Sequence, residues 1–103
     1  MSADTSKQPI RRALAILFAL QGHSFEGLRL KQIAEAIGTT ASTALRDLEV
    51  LADEGIVERI PGRDEFWRLS PRLIQLSVAH ADEVRRQQQR LDEFNQRYTR
   101  NPS

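Results

Sequence analysis

Residues 30–51, LKQIAEAIGTTASTALRDLEVL, decide the fold. Ile33, Ala34 and Ile37 fall at helical spacing and stop at Gly38, which marks a short helix with a glycine at its end. A few residues later Ala44, Leu45, Leu48 and Leu51 resume the period, marking a second helix that ends before Gly55. Thr39 or Thr40 can cap that second helix, since a hydroxyl satisfies its free N–H groups. Two short helices joined by so tight a turn form a helix-turn-helix unit.

The flanks extend this unit in a definite order. Upstream, Pro9 suits a first helical turn, where its missing N–H has no partner to lose. Ile10, Ala13, Leu14, Leu17, Phe18 and Leu20 then fall mostly on one face, and Gly22 closes the helix. Leu28 and Leu30 flank Arg29 in the alternation of a very short strand. Downstream, Ile56 to Ile60 is rich in branched residues and reads as a strand. Pro61-Gly62 is a turn, and Phe66 to Leu69 is the returning strand, with Trp67 and Leu69 facing the core and Phe66 the other side. Ser70-Pro71 opens a last helix running to about Tyr98, whose apolar beginning (Leu73, Ile74, Leu76, Val78) is expected to pack on the first helix.

The expected fold is therefore mainly α with a small β-hairpin: a winged helix-turn-helix over residues 9–70 and a long C-terminal helix over 71–99. Residues 1–8 are expected to be a flexible N-terminus and 100–103 a tail.

Composition excludes several classes. At 103 residues there is room for one core. The chain has no cysteine and only two histidines, so no disulfide, thiolate or histidine-rich metal site is expected, and no cofactor. His80 has no companion suited to acid–base work, and no nucleophile–base pair or phosphate-cradling glycine loop is present, so no enzyme is expected. No apolar run approaches the ~20 residues of a membrane span. Arg11 and Arg12 interrupt the apolar stretch after Ile10, which does not read as a leader. Net charge is only +1, and residues 1–70 carry nine Lys/Arg against ten Asp/Glu. Any nucleic-acid surface must therefore be local.

The stretches Ile10 to Leu17, Leu30 to Gly38, Ser42 to Leu48, Glu54 to Val57 and Trp67 to Leu73, with their order and spacing, resemble the N-terminal DNA-binding domain of the isocitrate lyase regulator (IclR) family of bacterial regulators. The resemblance runs from about Pro9 to Leu76. It implies a transcriptional regulator of bacterial or mobile-element origin, cytoplasmic, binding double-stranded DNA. Such regulators carry a larger effector-binding domain. Here the chain ends at Ser103, so no small-molecule effector is expected. Thr39 stands where the family has a hydrophobic residue. Ala41 replaces its basic residue near the recognition-helix start, which weakens the phosphate grip.

A helix-turn-helix turns the N-terminal end of its second helix toward base edges in the major groove. The residues on that end are Thr39, Thr40, Ala41, Ser42, Thr43 and Arg46. Hydroxyls reach phosphates or base edges, methyls touch thymine, and Arg46 can read guanine with two hydrogen bonds. The competing readings are helix capping for the hydroxyls and a surface pair with Glu49 or Glu58 for Arg46. Arg63 at the wing tip is a phosphate or minor-groove contact, or else part of a solvated turn. Lys31, Arg29 and Arg12 are further phosphate candidates.

The last helix carries a heptad seam of Ile74, Ala81, Gln88 and Asn95 with Ser77, Val84, Leu91 and Tyr98. It is a polar, imperfect coiled-coil pattern that points to a homodimer. The other reading is an arginine-rich tail whose Arg85, Arg86 and Arg90 touch phosphate. Two functions follow: a dimeric, sequence-specific DNA-binding regulator, or a module that uses the same fold to assemble proteins without DNA.

Overall fold

The computed structural model describes residues 8–99. Their order is α1 (Pro9–Leu20), β1 (Leu28–Arg29), α2 (Leu30–Ile37), α3 (Ala41–Asp53), β2 (Val57–Ile60), β3 (Arg63–Leu69) and α4 (Pro71–Thr99). This is the winged helix order expected from the sequence. The N-terminus expected at 1–8 to be flexible and the tail at 100–103 lie outside the described residues, apart from Gln8. Gln8 belongs to α1 as its N-cap, and its carbonyl accepts the Arg12 N–H at 2.9 Å.

Local chemistry sets the helix ends. Pro9 occupies the first turn of α1. After α2, Gly38 adopts φ +73°. Its N–H reaches Glu35 O, and the Thr39 N–H reaches Ala34 O at 3.0 Å, the paired closure that only a left-handed residue permits easily. The same closure ends α3, where Gly55 N–H meets Ala52 O and Ile56 N–H meets Leu51 O, both at 2.9 Å. Ser70 caps α4 through the Leu73 N–H and also donates its hydroxyl to the Gly55 carbonyl.

The sheet is antiparallel in the order β1-β3-β2. Leu28 and Arg59 both stand opposite Trp67, while Arg29 stands opposite Phe66. The turn at Pro61-Gly62 leaves an irregularity between Arg59 and Ile60. β3 begins at Arg63, three residues earlier than the sequence pattern indicates, because Arg63, Asp64 and Glu65 are polar on both faces and show no alternation.

The contacts divide the chain into two units, one ending at Leu73 and the other beginning at Ile74. The core of the first is Ile16, Leu20, Ile33, Ala34, Ile37, Ala44, Leu48, Val57 and Trp67. Leu45 and Leu51 pack against it half-buried. Within α1 the face expected to be buried is only partly so. Of the residues expected there Leu20 is inside, joined by Ile16, which the pattern did not include, whereas Ile10, Leu14 and Phe18 are exposed. The apolar positions of this helix spread over about half its circumference, and the core meets the edge of that arc that holds Ile16 and Leu20.

In the second unit α4 buries no residue. Ile74, Leu76 and Val78 are exposed. Leu73, just before them, is half-buried. No helix among the described residues is long and apolar enough to cross a membrane.

Candidate nucleic-acid interface

The turn at residues 38–40 sets α3 against α2 with its N-terminal end outward. Thr40 adopts extended backbone as the N-cap, and its Oγ1 accepts the Thr43 N–H at 3.2 Å. That hydroxyl also donates to Thr43 Oγ1 at 3.0 Å and lies 3.3 Å from Ser42 Oγ. Capping therefore engages the hydroxyl cluster, and Thr40 is its centre. Ala41, Ser42 and Arg46 remain exposed on the outer side, with Thr39 and Thr43 half-buried. Arg46 has no carboxylate partner among the described residues. Glu58, one of the two partners considered for it, is taken by Arg68 at 2.8 Å.

Asp47, next in sequence, points the other way. Arg12 Nε lies 2.6 Å from its Oδ2 and Nη2 lies 3.2 Å from its Oδ1. Those hydrogen bonds hold the guanidinium above its ordinary pKa, against a smaller opposing effect of burial. Arg12 is thus not a free phosphate contact, which corrects the sequence expectation. At spacing four from the buried Ile16 it faces α3, and its side chain is only 11% exposed.

The wing carries its own cations. Phe66 meets two of them: the Arg63 guanidinium lies 4.1 Å from its ring centroid and that of Arg29 5.0 Å. Arg29 also pairs loosely with Glu65 at 3.7 Å, and Gln32 Oε1 accepts its backbone N–H at 2.8 Å. Lys31, in the first turn of α2, is exposed. Sequence reasoning missed Arg59, whose guanidinium lies 4.4 Å from the Trp67 centroid. Period-two alternation places Arg59 on the inward face, where a cation looks misplaced; the signal available was that Trp67 is the one indole it could cover.

The seam residues Ile74, Ala81, Val84, Gln88, Leu91, Asn95 and Tyr98 of α4 are all exposed. Gln88 Nε2 donates to Asp92 Oδ1 at 3.0 Å. The heptad frame omitted Phe94, which is also exposed and stacks on Tyr98 with ring centroids 4.5 Å apart. Among the described residues no cluster of His, Asp and Glu could hold a metal ion.

A helix-turn-helix with an outward second helix and a three-stranded wing defines a winged helix DNA-binding domain. Residues 9–61, just over half of the chain, match the IclR helix-turn-helix domain. The chain belongs to that family of DNA-binding transcription regulators. No curated protein matches it in sequence.

Proposed function

We propose that this protein is a sequence-specific, double-stranded DNA-binding regulator that acts as a homodimer in the cytoplasm. The observation that carries the reading is the exposed, unpaired Arg46 beside Ser42 and Ala41 on the leading end of α3. That end of the second helix is the part that meets base edges. Arg46 reads a guanine, and the small groups at Ala41, Ser42 and Thr43 meet neighbouring bases or thymine methyls. Thr39 and Thr40 border the same contact, while Lys31, Arg29 and Arg63 hold phosphates and fix the register.

Dimerisation draws support from α4. A helix of 29 residues that buries no side chain is marginal by itself, and a second copy along Val84, Leu91 and Tyr98 gives its apolar stripe a partner. Pairing also brings two α3 helices to half-sites one DNA turn apart, about 34–36 Å.

The test is duplex binding measured across a salt series. Contact with phosphates makes log affinity fall linearly with log salt, at about −0.9 per phosphate neutralised. A flat response, or no binding, overturns the reading and favours the assembly module.

A further inference from the structure

We infer that Arg59 is a phosphate-binding residue for duplex DNA, seated in a groove between the start of α3 and the sheet, and that Trp67 beneath it reports on the contact. The inference rests on the DNA-binding reading above and adds a site to it.

The groove has a volume of ≈ 620 Å³, and its lining includes Ala41, Leu45, Lys31, Arg29, Arg59 and Trp67. Its one lining acid, Glu65, is the partner of Arg29. Three cations line it against one acid, whereas the groove that Arg59 and Trp67 share on their other side carries Glu49, Asp53 and Glu58, so an anion is favoured only on the α3-start side. Ala41 is the first residue of α3. A DNA strand whose bases meet that end of the helix passes its sugar–phosphate backbone along this groove. The methyl group of Ala41 leaves the groove open.

Arg59 is already held in place. Its guanidinium covers the Trp67 ring, and its Nη1 donates to the Asp64 carbonyl at 2.8 Å. A guanidinium has five N–H donors in a planar fork. Stacking uses one face and Asp64 uses one donor, which leaves the others for a phosphodiester oxygen. No carboxylate lies within ion-pair distance of Arg59 among the described residues. Because the fold has already ordered this side chain, little rotamer entropy is lost when it binds. The competing role is that of a lid on Trp67, which would need the aromatic contact and not the charge.

Trp67 is the sole tryptophan of the chain, so its emission is a local probe. The full chain would be titrated with a mixed-sequence duplex while binding and Trp67 fluorescence are followed together at several salt concentrations. Wild-type emission should change in step with binding. Arg59→Gln should bind more weakly to all sequences, lose about 0.9 from the salt slope, and show little emission change on binding; Arg59→Lys should regain the slope. A wild-type emission that ignores bound DNA, or a wild-type slope in Arg59→Gln, assigns Arg59 to a lid and overturns the site while leaving DNA binding intact. Absence of any wild-type duplex binding overturns both.

Discussion

Arg12 in α1 and Asp47 in α3 are joined across 35 positions of sequence by a two-point contact, at 2.6 and 3.2 Å. Their side chains are only 11% and 14% exposed, so the contact is largely withdrawn from water. Losing Arg12 leaves the Asp47 carboxylate partly desolvated without this guanidinium, whereas losing both removes the conflict. Arg12→Ala and Asp47→Ala should each lower the melting midpoint by roughly 4–8 °C, the shift typical of a modest loss in a domain this size. The double variant should lose clearly less than the sum. Strictly additive losses would show that the pair does not pin α1 to α3.

Thr40 is the N-cap of the helix proposed to read DNA, and its Oγ1 accepts the Thr43 N–H. Thr40→Ala should cost about 1 kcal/mol of stability in chemical denaturation, and Thr40→Ser should cost little. If Thr40→Ala leaves stability unchanged but weakens duplex binding, the hydroxyl acts on DNA and not on the helix.

Gly27 has φ +70°, and a Cβ there would stand 2.7 Å from Ile60 Cδ1 and 2.8 Å from the Trp67 carbonyl oxygen. The second contact is with backbone and cannot give way. Gly27→Ala should therefore destabilise by roughly 2–4 kcal/mol, combining left-handed strain with overpacking. Gly22 has φ +83° with open space around it, so Gly22→Ala should lose only about 1 kcal/mol. Equal losses in the two variants would show that the close approach over the sheet is unimportant.

The element order was legible because its signals are local. Pro9, Gly38, Thr40, Gly55 and Ser70-Pro71 each act through backbone groups within a few residues, so each end can be read from its own neighbourhood. Long-range pairing left no such mark. Nothing near Arg12 indicates Asp47, and nothing near Phe66 indicates that Arg29 and Arg63 meet its ring. The two edges of the apolar arc of α1 were indistinguishable, since Ile10, Leu14 and Phe18 are as apolar as Ile16 and Leu20. At the proposed DNA-contact end, Ser42 and Arg46 were legible from helical spacing alone. Arg59 was not, because its role depends on a ring across the sheet.

Arg46 and Arg63 should separate by function. Arg46 sits on the leading end of α3 with no partner among the described residues, so Arg46→Ala should cost about 1–3 kcal/mol on a preferred site and relax preference at one base pair. Arg63 lies at the wing, stacked on Phe66 and free to meet phosphate. Arg63→Ala should weaken all duplexes by a similar factor and reduce the salt slope by about 0.9. Selection of bound sequences from a random duplex pool, run on both variants, would decide the matter. The same altered preference in both would refute the division.

The proposed self-association rests on α4. From Val84 onward Leu91 and Tyr98 continue one stripe at heptad spacing, and Phe94 widens it by stacking on Tyr98. All four are at least half exposed in the single chain, an arrangement that water disfavours and a second helix relieves. Gln88 and Asn95 lie on the companion line, where buried polar groups fix register at a cost in stability. The pairing is therefore expected to be weak and dependent on concentration. Sedimentation should show the full chain associating as concentration rises, with Leu91→Glu shifting it toward monomer and a chain ending at Ala81 remaining monomeric throughout. Because the core of the first unit closes without α4 beyond Leu73, the shortened chain should keep its cooperative unfolding. It should also still bind single half-sites, but lose the gain that two linked α3 helices obtain on a two-fold site. A shortened chain that associates as strongly as the full one would move the interface off α4 and onto another surface.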